Sequence, residues 1–196
     1  MLRISAGRMK GRRLLPIPDQ ARDVRPSGAR VREAIFDRLQ GEVIEARTLD
    51  LFAGSGALAI EALSRGASAA TVVERDPALV RRLFAQRDAL ALGGALTVVD
   101  REALTWLRDP LQRARRGPFD LVFLDPPYAA AAELCGGALA LLAEGWLAPD
   151  ADVVVEYGRH GGHSPVIARP EGYVLLAARV YGESSVDFLR WQAATG

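Results

Sequence analysis

The chain has 196 residues, 49% hydrophobic and 25% charged, with 25 Lys and Arg against 24 Asp and Glu. That is the profile of a core-forming domain and excludes an intrinsically disordered chain. No uncharged apolar run approaches the roughly 20 residues that a membrane-spanning helix needs, and Met1-Leu2-Arg3-Ile4-Ser5 lacks the apolar centre of a secretory signal. The single Cys135 cannot close an internal disulfide, so a cytoplasmic location is expected.

The net charge of +1 hides an asymmetry. Residues 1–32 hold nine cations (Arg3, Arg8, Lys10, Arg12, Arg13, Arg22, Arg25, Arg30, Arg32) and two acids, Asp19 and Asp23, for +7. The other 16 cations and 22 acids leave residues 33–196 at −6. A basic arm on an acidic body suits a polyanionic partner, although a merely solvated tail has the same composition.

Taken in chain order, residues 2–5 and 12–16 flank Gly7 and Gly11 and are expected to pair as a small hairpin. Ser27 is a candidate cap for a helix over 29–39, with Val31, Ile35, Phe36 and Leu39 on one face. Strands are expected at 47–52, 70–74, 95–99, 119–124 and 152–156. The helices between them are expected at 57–64, 77–90, 102–108 (bounded by Pro110) and 129–143. The apolar run 119–124 reads as a strand covered on both faces. This alternation predicts an α/β fold, Rossmann-like and doubly wound, with right-handed crossovers. At the end, 173–181 and 185–191 are too close for a crossover helix and should form an antiparallel hairpin at one edge of a mostly parallel, seven-stranded sheet. The expected organisation is a basic extension, 1–40, on a body spanning 41–196.

Two motifs carry chemistry. Asp50-Leu51-Phe52-Ala53-Gly54-Ser55-Gly56-Ala57-Leu58-Ala59 follows the first strand, and Glu74 closes the second, 20 residues after Gly54. Glycines at this turn let backbone approach a ligand closely, and an acid at that spacing commonly holds ribose hydroxyls. A nucleotide-like cofactor is implied. Because Gly54-x-Gly56-x-x-Ala59 also fits a dinucleotide fingerprint, a nicotinamide-dependent oxidoreductase stays open. The other motif is Asp125-Pro126-Pro127-Tyr128, after the fourth strand. Ligands of open α/β sheets sit beyond the carboxyl ends of the strands, at the switch point, so Asp50 and Asp125 should share a cleft. A carboxylate, proline-freed carbonyls and an aromatic ring suit a planar base bearing an exocyclic amine, which Asp125 and Pro126 can hold while Tyr128 stacks. A rigid proline turn without a ligand is the bland alternative.

These residues resemble the donor, ribose and target-amine motifs of S-adenosylmethionine-dependent amino-methyltransferases. More narrowly, Arg25-Pro26-Ser27, Arg30-Val31-Arg32-Glu33-Ala34-Ile35-Phe36 and the block from Asp50 through Gly56 into Ile60-Glu61-Ala62-Leu63-Ser64-Arg65-Gly66-Ala67 resemble the bacterial family that methylates N2 of guanine 966 in 16S ribosomal RNA. Arg3-Ile4-Ser5-Ala6-Gly7, Lys10-Gly11-Arg12 and Tyr181-Gly182 extend the resemblance over nearly the whole chain. It implies S-adenosyl-L-methionine held by Asp50, Phe52, Ala53, Gly54, Ser55, Gly56, Glu74, Arg75, Glu102 and Ala103. It implies catalysis by Asp125, Pro126, Pro127 and Tyr128 without a metal, through direct methyl transfer to nitrogen. Docking of 16S rRNA, free or in an assembling small subunit, is expected through Arg8, Lys10, Arg12, Arg13, Arg25, Arg30 and Arg32 of a monomer. Ala59 stands where the family often has Gly, and Ser27-Gly28-Ala29 replaces a more polar stretch. The family's Asp-Ala pair falls on Glu102-Ala103, which implies Glu102 as the adenine-amine contact and leaves Asp100 as the alternative.

A DNA adenine-N6 or cytosine-N4 methyltransferase fits the same Asp-Pro-Pro-Tyr motif but generally needs a separate target-recognition region. A non-catalytic RNA-binding module would explain the arm alone. His160 and His163 lack a ligand cluster at metal spacing, and Cys135, Trp106, Trp146 and Trp191 read as packing residues.

Overall fold

A computed structural model describes residues 2–18, 28–127, 130–159 and 163–193. Its helices are α1 (Ala29–Leu39), α2 (Ala57–Ser64), α3 (Pro77–Ala89), α4 (Ala103–Leu107), α5 (Pro110–Arg116) and α6 (Ala131–Leu142). Its strands are β1 (Arg47–Asp50), β2 (Ala69–Glu74), β3 (Leu96–Asp100), β4 (Phe119–Leu124), β5 (Leu147–Gly158), β6 (Tyr173–Tyr181) and β7 (Ser184–Trp191). They form one seven-stranded sheet in the order β3-β2-β1-β4-β5-β7-β6. The first five strands run parallel, and β7 pairs antiparallel with both β5 and β6. Strand order reverses between β1 and β4, where Asp50 stands opposite Phe123. That reversal opens a crevice beyond the carboxyl ends of β1 and β4.

Apolar residues on the two faces of the sheet build two cores. One holds Leu49, Leu51, Val122, Trp106 and Trp146 with α4 and α6. The other holds Leu63, Val72 and Phe123 with α1 and α2. Ile4, Met9 and Leu14 of the N-terminal segment are buried in this second core. Their turn is drawn tight by Ile4 N–H donating to Arg12 O at 3.0 Å and Leu14 N–H donating to Leu2 O at 3.0 Å, around an Arg3–Arg13 bridge.

Four expectations change. Gly28, with no side-chain cap, occupies the N-cap of α1, and Ser27 lies outside the described residues. Helix α4 ends at Leu107, before Pro110 as expected, but Pro110 also opens a further helix: Asp109 accepts from Leu111 and Gln112 amides and Pro110 takes the first turn of α5. Strand β5 begins five residues earlier than expected, because pairing with β4 resumes across a register shift between Phe119 and Leu121. The C-terminal hairpin turns on Gly182 and Glu183 alone, since Tyr181 pairs with Ser184.

Candidate active site

The loop after β1 is held from both sides. Leu51 N–H donates to Phe123 O, Ala53 N–H to Val73 O and Gly56 N–H back to Ala53 O at 2.6 Å. Gly56 caps α2 with φ of +68°, and a Cβ there would lie 2.6 Å from Leu83 Cδ2 of α3. Only glycine meets both conditions. The loop is therefore pressed against α3, with its following amides at the positive end of α2.

Asp50, Glu74 and Asp100 end β1, β2 and β3, and Glu102 follows β3 by two residues. Asp50 is 2% exposed and its Oδ1 has no hydrogen-bond partner. Burial raises its pKa from 3.8 to about 7; the Ala59 amide opposes this, the Glu74 charge adds to it, and the Phe52 amide opposes it again. A buried carboxylate oxygen left unpaired is costly, so this atom is suited to a donor or cation brought by a ligand. Glu74 accepts from Gly54 N–H at 2.8 Å through Oε2, and from Arg75 and Asp76 N–H through Oε1. It clasps the loops after β1 and β2 together, and with three acceptor positions used it keeps about one for a ribose hydroxyl. Glu102 caps α4, accepting from Leu104 N–H at 3.0 Å and Thr105 N–H at 2.7 Å. Burial works to raise its pKa, but bonds from Thr105 and Leu104 outweigh that and hold it below the usual range. Asp100 is exposed at the end of β3, its side chain uncommitted to a cap.

On the other side of the crevice, Asp125 is half-buried directly after β4, Pro126 is buried and Pro127 exposed. Pro127 O accepts from Ala130 N–H, which leads into α6. Tyr128 lies outside the described residues. Phe52 is half-buried against the α4–α6 core, Ala53 and Ser55 are buried, Arg75 is exposed, and Ala103 is buried as the first residue of α4.

The arm divides into exposed and internal cations. Arg8, Lys10, Arg13 and Arg30 are exposed, and Arg25 lies outside the described residues. Arg32 corrects the sequence reading: at 2% exposure it donates to Arg3 O and lies 3.5 Å from Glu61, so it holds the arm and is closed to RNA. Arg12 donates to Ala89 and Leu90 carbonyls at the end of α3, where a cation also suits the helix dipole. The sequence reading missed the residues that receive the arm. Glu61, 1% exposed, accepts from Ser5 N–H and Oγ–H, from Ala6 N–H and from Arg65. Ser64 Oγ donates to Ala6 O and accepts from Met9 N–H. Position 7, at φ of +78°, admits only glycine, because a Cβ would fall 1.9 Å from Ser64 O. On α3, Arg82 and Gln86 take the same role, and their place in the buried stripe Leu79, Arg82, Leu83, Gln86 was the available signal: polar residues at core spacing.

Comparison with known proteins gives the family and the fold of the chain. The family model described as "Conserved hypothetical protein 95" matches residues 2–190. Ribosomal RNA small subunit methyltransferase D of Escherichia coli is 37% identical over 198 residues, covering 95% of this chain and 94% of that one. The solved structure of Escherichia coli yhhF, which is named as a methyltransferase, superposes with a TM-score of 0.82 at 34% identity, covering 98% of both chains. SMU.776, solved complexed with SAH, shares the fold with a TM-score of 0.63 at 14% identity, over 86% of this chain and 50% of that one.

Proposed function

This chain belongs to the conserved hypothetical protein 95 family, and on that basis we propose that it transfers the methyl group of S-adenosyl-L-methionine to the exocyclic N2 of a guanine in 16S ribosomal RNA, of the guanine 966 type. The observation that carries the reading is the pairing, across one switch-point crevice, of the buried Asp50 carboxylate, whose Oδ1 has no hydrogen-bond partner, with the Asp125-Pro126-Pro127 turn. S-adenosylmethionine, when bound, supplies a methyl group activated by its sulfonium.

The residues on the donor side are Asp50, Glu74 and the Phe52–Gly56 loop, with Arg75, Ala103 and either Asp100 or Glu102 toward the adenine. Because Glu102 already caps α4, Asp100 is the freer of those two acceptors. On the acceptor side, the amine lone pair of guanine is delocalised into its ring and is a poor nucleophile. Asp125 and the Pro126 carbonyl accept the two amine hydrogens, which favours a pyramidal nitrogen and offsets the positive charge that develops there. Tyr128 stacks on the ring, and Pro127 rigidifies the turn. Fixing the base against the donor in this way supplies much of the acceleration.

The exposed arm cations Arg8, Lys10, Arg13 and Arg30 grip phosphates, so that residues 1–40 dock RNA for the body, 41–196. The substrate implies a cytoplasmic setting, and the protein acts as a monomer on free rRNA or on an assembling subunit. Incubating the purified chain with methyl-labelled S-adenosylmethionine and, separately, 16S rRNA or duplex DNA tests the reading. Label in the RNA supports it; label only in the DNA assigns the Asp-Pro-Pro-Tyr motif to a DNA amine instead, and RNA binding without label in either reduces the chain to a binding module.

A further inference from the structure

Arg82 is 6% exposed on α3, and burial lowers its pKa. Among the described residues its bonds run to carbonyl oxygens of two distant segments. Nε donates to Leu15 O and Pro16 O at 3.0 Å and Nη2 to Leu15 O, while Nη1 donates to Ser55 O at 2.8 Å. A guanidinium is a rigid planar fork, so it fixes the separation and orientation of what it holds. The Ser55–Gly56 peptide is clamped at both ends, its carbonyl by Arg82 and its N–H by Ala53 O. The neighbouring residue, Leu83, is the side chain against which Gly56 is pressed. One helical turn on, Gln86 Oε1 accepts Leu15 N–H. The arm thus reaches the loop after β1 through one buried cation, which holds Leu15 and Pro16 on one side and the Ser55–Gly56 peptide on the other.

We infer that Arg82 is a positioning residue that couples RNA docking on the N-terminal segment to donor binding at the Ser55–Gly56 turn. The inference rests on the functional reading above, which supplies the two ligands. Coupling between sites is reciprocal, so each ligand raises the affinity of the other by the same factor. The test is calorimetric titration of S-adenosylhomocysteine into the full chain, alone and with saturating 16S rRNA, for the wild type, Arg82→Met, Arg82→Lys and Gln86→Met. Expected is a wild-type affinity at least about fivefold higher with RNA present, within the usual range of allosteric coupling. That ratio falls to within about twofold of unity in Arg82→Met and is partly restored in Arg82→Lys, which keeps the charge without the fork. Should Arg82→Met fail to fold, Gln86→Met, which loosens only the arm side, decides by a reduced ratio. A wild type that binds both ligands with no mutual effect overturns the inference, as does a ratio unchanged in the folded variants. A wild type that binds no S-adenosylhomocysteine overturns the functional reading itself, and the inference with it.

Discussion

Asp50 shows how burial and chemistry meet in one side chain. Its carboxyl holds a proton up to about pH 7 in the folded chain, against 3.8 ordinarily, because burial outweighs the amides that favour the charge. Between those values the folded state binds more protons than the unfolded one, so this group's contribution to stability declines as pH rises from about 4 to 7. A donor bearing positive charge favours the carboxylate, and its binding therefore releases a proton at or below pH 7. Affinity for S-adenosylmethionine is expected to be roughly tenfold weaker at pH 6 than at pH 8, with the difference abolished in Asp50→Asn. Calorimetry at both pH values, in two buffers of different ionisation enthalpy, measures affinity and proton release together; equal affinities without proton release would remove Asp50 from the donor site. Asp125 separates the other half of the chemistry. Asp125→Ala should abolish methyl transfer while donor affinity stays within a few-fold of the wild type, and a variant with normal turnover would refute its contact with the amine.

Among the elements, α2 carries two tasks at opposite ends. Its N-terminus receives the donor loop at Gly56, and Gly56→Ala combines left-handed backbone with a contact at Leu83, a strain of about 1 to 3 kcal/mol concentrated at the loop. Its second turn places Glu61 under the arm, where burial works to raise the pKa but the Ser5 and Arg65 bonds prevail and hold it low. Glu61→Ala leaves Arg32 buried without its carboxylate and is expected to cost about 3 to 5 kcal/mol in urea unfolding. A loss below about 1 kcal/mol would show that the arm is not anchored there.

The order of strands and helices was legible because each element carries its own period and turn residues. The apolar run of β4 and the Gly54-Ser55-Gly56 turn fix their neighbours' places. Helix α5 was not, because Pro110 reads equally as the end of one helix or the first turn of the next, and only the Asp109 cap decides. The early start of β5 was hidden by Pro149 and by Asp150, whose φ is +58°.

Across the whole molecule, charge and core overlap in the N-terminal segment. Composition showed the cations, but which of them face solvent depends on packing: Arg32 is spent inside and Arg12 is tied to α3, whereas Arg8, Lys10, Arg13 and Arg30 remain outside. The places of the proposed donor residues were legible for the opposite reason, since Asp50, Gly54, Gly56 and Glu74 lie at fixed distances from strand ends. Replacing the four exposed cations with Ala should weaken RNA binding and reduce its salt slope by up to about 3, at roughly 0.7 per phosphate contact on single strands. Donor affinity measured without RNA should not change. An unaltered slope would move the docking surface elsewhere on the molecule.

The methylated atom separates guanine-N2 transfer from each of its alternatives. Digesting 16S rRNA from cells with and without this protein to nucleosides, and mapping each methylated residue by mass spectrometry, addresses it directly. One N2-methylguanosine should disappear without the protein and return with the wild type but not with Asp125→Ala. An unchanged set of methylated guanines, or loss of a methylated adenine or cytosine instead, would contradict guanine-N2 transfer.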